Sequence, residues 1–223
     1  HFKFTAGQFA RIGLMVGGEL VVRAYSVVSS PFDETLEFFS IVVPDGAFTS
    51  NLQHLKVGDE LYLDKISYGY LTLARYQQPL PQDLWLLGTG TGLAPFLCML
   101  QDFETWNKYK HIHLVYSVRT ESELAYVERI EEIAASFGEG HSGFKFIPIV
   151  TRDPKAALHD RLPILIGNGE LEKAAGLALN PASSHVMLCG NPQMVEDTKE
   201  ALKQRGLTMN RRGEGNIAVE NYW

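Results

Sequence analysis

Up to about residue 76 the apolar positions come in short runs rich in Val, Ile, Phe and Tyr, at 8–12, 20–28, 36–43 and 60–64. Between them lie the turn signals Val16-Gly17-Gly18, Ser30-Pro31 and Pro44-Asp45-Gly46. Strands punctuated in this way predict a small antiparallel barrel or sandwich. One short helix interrupts them, with Thr49 or Ser50 placed to cap 51–55 and Leu52 and Leu55 inward. Residues 2–9 read as a strand entering a turn, an abrupt start that predicts a further segment ahead of residue 1.

After Gln77-Gln78-Pro79-Leu80-Pro81, a linker by composition, the rhythm changes. Uninterrupted apolar runs at 84–87, 112–116, 144–150 and 186–189 predict buried strands, with 217–219 as a final edge strand. Helical spacing at 93–103, 124–137 and 194–205 alternates with them. Thr120-Glu121-Ser122-Glu123 reads as a capping box opening the second helix. Asn191 and Pro192 open the third, and Gly206 follows its end. Strand–helix alternation implies a parallel, doubly wound sheet. The expected organisation is an all-β antiparallel module over 1–76 and an α/β module over 82–223.

Composition narrows the class. With 223 residues, 45% apolar and 21% charged, the chain has enough apolar content for a real core. The formal net charge of −6 argues against a nucleic-acid-binding surface, so any cationic patch must be local. Cys98 and Cys189 sit inside apolar runs and form no metal or disulfide pattern, which suits a reducing, cytoplasmic setting. The uncharged stretch at 84–101 is broken by glycines and threonines, so no membrane span is expected.

The chemistry concentrates in Gly88-Thr89-Gly90-Thr91-Gly92-Leu93-Ala94-Pro95, which follows an apolar strand and opens an apolar helix. Glycines there let backbone N–H groups approach an anion. The spacing is neither the G-x-G-x-x-G fingerprint nor a Walker A loop, and a lone loop of this kind is also compatible with a plain strand–helix turn. The next two strand ends carry Val118-Arg119 and Thr151-Arg152, with Arg161 soon after. Arginine forks beside hydroxyls suit a 2′-phosphate better than a free 2′-hydroxyl, favouring NADP over NAD. In the β module, Arg23-Ala24-Tyr25-Ser26 offers a donor fork, a flat ring and a hydroxyl on one strand.

Taken together and in order, Thr5-Ala6-Gly7-Gln8-Phe9, Arg23-Ala24-Tyr25-Ser26, Gly88–Pro95, Cys189-Gly190-Asn191-Pro192 and the ending Glu220-Asn221-Tyr222-Trp223 resemble the ferredoxin–NADP(+) reductase family, bacterial type. The resemblance implies a Greek-key FAD barrel followed by an NADP domain. It implies that Arg23 and Ala24 bind FAD with Tyr25 stacked on the isoalloxazine and Ser26 near flavin N5. It extends the flavin site to Phe39, Ser40, Ile41 and Val42, and to Ala47, Phe48 and Thr49 around the diphosphate. Thr91 would be shared between flavin and nucleotide. Val118, Arg119, Thr151, Arg152, Arg161, Asn191, Pro192 and Gln193 would bind NADP(H), and Tyr222 and Trp223 would lie on the flavin. Ser26, Cys189 and Glu220 are the catalytic candidates, Glu220 as a proton relay; Cys189 alone also reads as packing.

The implied reaction is hydride transfer from NADPH to FAD, then single electrons to ferredoxin or flavodoxin, an acidic carrier met by a monomeric enzyme. Trp223, if it covers the ring face, must move before hydride transfer. Lys65, Arg75, Lys203, Arg205 and Arg211-Arg212 are candidate cationic positions, though Lys203 and Arg205 equally suit a helix C-terminus. An oxygenase-component reductase with its own cluster would need four cysteines, which two isolated ones cannot supply. A reductase of free flavin or dyes, or a nucleotide-binding subunit without turnover, is the alternative.

Overall fold

A computed structural model describes residues 2–141 and 143–221. In the first part β1 (Phe9–Val16) pairs antiparallel with β2 (Glu19–Ser26) across the Gly17-Gly18 turn and with the two-residue β3 (Tyr62–Leu63), in the order β2-β1-β3. Both turn glycines have positive φ, which the tight connection demands. Isolated bridges Phe9–Tyr68 and Val27–Phe38 extend this module. A single turn, α1 (Thr49–Leu52), lies beside it, with Phe48 buried against Ile12 and Leu14.

The second part is a five-stranded parallel sheet ordered β6-β5-β4-β7-β8: β4 is Asp83–Thr89, β5 His111–Val118, β6 Phe144–Val150, β7 Ser184–Gly190 and β8 Ile217–Asn221. Alternate residues of these strands serve opposite faces. Leu84, Leu86, Leu114, Tyr116 and Met187 pack under α2 (Ala94–Leu100), α3 (Phe103–Lys108) and α4 (Val127–Phe137). Trp85, Leu87, Val115 and Leu188 pack under α5 (Leu162–Gly167), α6 (Glu170–Ala175) and α7 (Pro192–Gln204). Burial on both faces is why these strands read as continuous apolar runs. The antiparallel module followed by a doubly wound sheet stands as expected.

The two parts share a core. Ala6, Val28, Leu71 and Leu73 join the cluster that contains α2. Gln101 Nε2 donates to the Val28 carbonyl at 2.8 Å, and the Cys98 thiol donates to the Ser29 carbonyl at 3.1 Å. The linker is pinned as well, since Gln77 Nε2 donates to the Ser184 carbonyl at 2.8 Å.

Several local expectations are corrected. Residues 36–43 join no ladder beyond the Val27–Phe38 bridge, and Ile41, Val42 and Val43 are about half exposed. Residues 2–5 form no strand, and the run at 60–64 contracts to β3. Neither Thr49 nor Ser50 caps α1: Thr49 Oγ1 accepts from the Val43 N–H at 2.9 Å, and Ser50 Oγ donates to the Gly46 carbonyl at 2.6 Å. The helix expected at 93–103 breaks after Leu100, because the Asp102 carboxylate caps a new helix by accepting from Glu104 N–H at 2.9 Å. The helix expected from 124 begins at Val127, and no side chain caps it. The short helices α5 and α6 were not foreseen; each spans six residues, α5 with Pro163 in its first turn and α6 between Gly169 and Gly176, too little for a period to show.

Candidate functional site

The strand order reverses at β4: the chain runs outward through β5 and β6, then returns to β7 on the other side. Crevices at such switch points, beyond the carboxyl ends of the strands, are where open α/β sheets bind ligands. Here Gly88 is in register with Cys189, and the Asn191 N–H donates to Thr89 Oγ1 at 3.2 Å. A β-carbon on Gly92 would come within 2.2 Å of the Cys189 carbonyl oxygen, so only glycine fits this backbone contact. Gly90, at φ +53°, has open space on its outer side.

The β module brings its own residues to the same end. Ser26, buried at the end of β2, is paired with Phe9, and Phe9 bridges Tyr68. Next along is Gly69, where a β-carbon would meet Glu220 Oε1 at 2.7 Å and the Phe9 ring at 2.9 Å. Glu220 in turn is in register with Cys189 on β7. The three catalytic candidates, Ser26, Cys189 and Glu220, therefore converge on one region through Phe9 and Gly69. Burial pushes the Glu220 carboxyl up to about 7, with nearby Arg75 opposing, and its Oε2 is buried with no hydrogen-bond partner among the described residues.

Arg23 and Ala24 are exposed on β2, and among the described residues Arg23 Nη1 donates to the carbonyl of its neighbour Val22 at 2.8 Å. Tyr25 shares a 3.2 Å hydrogen bond with Ser40 Oγ, and its ring lies 5.8 Å from that of Phe48. The resemblance-derived set Tyr25, Ser40, Phe48 and Thr49 is thus gathered beside the ladder-free segment holding Phe39, Ile41 and Val42. Ala47 is exposed at the turn into α1. An exposed guanidinium, a half-buried tyrosine and exposed apolar side chains along unladdered backbone suit a flat, anionic dinucleotide such as FAD.

At the β5 and β6 ends, Thr151 N–H donates to the Val118 carbonyl at 2.9 Å, and Arg152 N–H donates to the Arg119 carbonyl at 2.8 Å. Arg119 and Arg152 are side by side and exposed. Arg161 is exposed at the start of α5, on a loop folded back by the Val150 N–H to Leu158 carbonyl bond. Thr91 is half-buried in the loop after β4. Asn191 Oδ1 caps α7 by accepting from Gln193 and Met194 N–H, so Asn191, Pro192 and Gln193 sit at that helix start. Tyr222 and Trp223 lie outside the described residues.

Residues 1–66 match the oxidoreductase FAD-binding domain and residues 86–200 the oxidoreductase NAD-binding domain. A flavodoxin/ferredoxin–NADP reductase of Shigella flexneri is 42% identical over 99% of this chain and 88% of its own length. A ferredoxin–NADP reductase of Pseudomonas aeruginosa is also 42% identical, over 98% of this chain and 86% of its own. The chain belongs to the ferredoxin/flavodoxin–NADP reductase family. Another family member, the crystal structure of a ferredoxin NADP+ reductase from Neisseria gonorrhoeae with bound FAD and NADP, superposes with a TM-score of 0.91 at 36% identity, covering 99% of this chain and 87% of that one.

Sequence reasoning missed Gly69 and Tyr126 in this family member, and it named Arg75 only as a cationic position, without placing it beside Glu220. Gly69 and Arg75 flank Glu220, yet neither carries a motif. Tyr126 adopts a left-handed φ of +62°, and its hydroxyl donates to Glu37 Oε1 at 2.8 Å while its ring stands edge-on to Phe39. That contact joins the two parts of the reductase across 89 residues, a pairing no local pattern could announce. Lys203 and Arg205 are engaged locally: Lys203 Nζ donates to Glu200 at 2.6 Å, and Arg205 pairs with Glu172 at 2.6 Å.

Proposed function

We propose that this chain is an FAD-dependent reductase that takes a hydride from NADPH and delivers single electrons to ferredoxin or flavodoxin. The observation that carries this reading is the convergence of the β2 end, the switch-point loop and the Glu220 carboxylate at one end of the parallel sheet. When bound, the flavin supplies the conversion between two-electron and one-electron chemistry. The protein's task is alignment, because hydride transfer needs two flat rings at near-attack distance.

In that task Arg23 and Ala24 would hold the FAD diphosphate side of β2, with Ala47, Phe48 and Thr49 opposite. Tyr25, oriented by Ser40 and Phe48, offers its ring to the flavin. Ser26 offers a hydroxyl, and Phe39, Ser40, Ile41 and Val42 line the same edge. Arg119, Arg152 and Arg161, with Val118 and Thr151, would take the nucleotide's 2′-phosphate end. Asn191, Pro192, Gln193 and Thr91 would line its path to the cleft, where Cys189 borders the reacting region. Glu220, with its carboxyl at about 7, can hold or release a proton at neutral pH.

We divide the chain into an FAD part over residues 1–76 and an NADP(H) part over 82–223. The FAD-binding match over 1–66 and the NAD-binding match over 86–200 support placing the two cofactors in separate parts. A cleft of about 540 Å³ lined by Tyr70, Arg75, Tyr76, Arg211 and Arg212 gives an anionic carrier a cationic surface beside Glu220. No helix among the described residues is long and apolar enough to cross a membrane. The assignment to the cytoplasm, as a monomer, is supported on the first point by two buried, unbridged cysteines that suit a reducing setting. Anaerobic stopped-flow mixing with NADPH or NADH tests the reading. Rapid loss of flavin absorbance with NADPH, recovered on adding oxidised flavodoxin, supports it; no bleaching with either nucleotide overturns it.

A further inference from the structure

The turn between β5 and α4 departs from its sequence pattern in a way that bears on nucleotide choice. In a capping box Glu123 would reach back to the backbone N–H of the helix cap. Here its carboxylate goes chiefly to Arg119, with only a weaker interaction left for the Thr120 backbone. Oε1 accepts from Arg119 Nε at 3.0 Å and Nη2 at 2.6 Å, and Oε2 accepts from the Arg119 backbone N–H at 2.8 Å.

Glu123 is itself fastened. Its N–H donates to the Thr120 carbonyl at 3.0 Å, and its carbonyl accepts from the Tyr116 hydroxyl at 3.3 Å. Three residues on, Tyr126 ties the turn to Glu37. The anchored carboxylate therefore fixes a side chain that is otherwise among the richest in rotamers. Two guanidinium nitrogens are occupied, while Nη1 donates to no described residue and the side chain is 64% exposed. Arg152 lies alongside through its N–H bond to the Arg119 carbonyl.

We propose that Glu123 is a positioning residue that sets the preference for a 2′-phosphorylated nucleotide, by clamping one edge of the Arg119 guanidinium and aiming the other at the phosphate. This rests on the assignment of Arg119 to the 2′-phosphate made above. The pair faces solvent, where Coulomb attraction contributes little, so the benefit lies in preorganisation. A carboxylate that merely competed with phosphate for the same fork would act in the opposite direction, which gives the test a sign.

The test uses the FAD-loaded protein and its E123Q, R119A and double variants, titrated by calorimetry with adenosine 2′,5′-bisphosphate and with 5′-AMP. E123Q is expected to weaken 2′,5′-bisphosphate binding about three- to tenfold while 5′-AMP changes less than about twofold. In steady state the same factor should appear in KM for NADPH and not in kcat. On the R119A background E123Q should add nothing. Unchanged or tighter 2′,5′-bisphosphate binding in E123Q, equal loss for both probes, or a loss that persists on R119A overturns the proposal. R119A alone separates the underlying assignment: if it does not narrow the ratio between the two probes, Arg119 is not the phosphate ligand, whatever E123Q does.

Discussion

Gly92 touches the Cys189 carbonyl backbone to backbone, with room for no side-chain atom between them. That contact closes the loop after β4 onto the end of β7 and shapes the crevice where the strand order reverses. Neither backbone can give way without moving a central strand.

Gly92→Ala should therefore lower the unfolding free energy by about 2–4 kcal/mol, as overpacking against immovable atoms does. Gly90→Ala meets no neighbour and carries only the left-handed backbone cost, about 1 kcal/mol. Urea denaturation of the two variants checks the difference. Equal losses would mean that the Gly92 contact does not constrain the fold.

Glu220 imposes a pH dependence on stability. Below 4.5 the carboxyl is protonated in folded and unfolded chains alike. Between 4.5 and about 7 the unfolded chain releases the proton while the folded one keeps it, so rising pH costs stability. Relative to wild type, Glu220→Gln should gain stability progressively across that window, by about 2–3 kcal/mol at most, and level off above it. Denaturation midpoints at pH 5, 6, 7 and 8 check this, and a pH-independent difference would contradict the buried-carboxyl reading.

The architecture was legible because burial on both faces forces the parallel strands to be apolar throughout, and because glycine spacing marks the switch-point turn. What was illegible depended on contacts between distant segments. Residues 36–43 have a strand's composition, yet beyond the Val27–Phe38 bridge they join no ladder among the described residues. Glu123 has a capping box's spacing, yet its carboxylate is held chiefly by Arg119. Gly69 and Arg75 join the candidate site only because the folded chain brings them beside Glu220 of β8. The site candidates at strand ends were found from spacing and resemblance, since strand ends in a doubly wound sheet necessarily face one crevice.

Arg152 offers an exposed guanidinium with no side-chain partner among the described residues, beside Arg119. Arg152→Ala should reduce kcat/KM for NADPH about ten- to a hundredfold, the loss of one charge-assisted phosphate contact, and shrink the NADPH-to-NADH ratio accordingly. Steady-state dye reduction with both nucleotides measures this. A proportional fall with both would assign Arg152 to structure.

Charge reversal at Arg211 and Arg212 separates carrier docking from hydride transfer. Steering by a cationic cleft predicts that flavodoxin reduction slows steeply as salt rises. Arg211→Glu with Arg212→Glu should slow it about tenfold at low salt and flatten the profile. NADPH-driven reduction of a small neutral dye should persist in the same protein. A salt profile unchanged by both substitutions would place docking elsewhere.

The most direct measurement is the cofactor content of the purified protein followed by anaerobic titration with NADPH. The account predicts one FAD released per chain on heat denaturation, and an intact protein whose yellow absorbance bleaches with one equivalent of NADPH. A colourless protein that takes up no added FAD, or a bound flavin that NADPH cannot reduce, would contradict it.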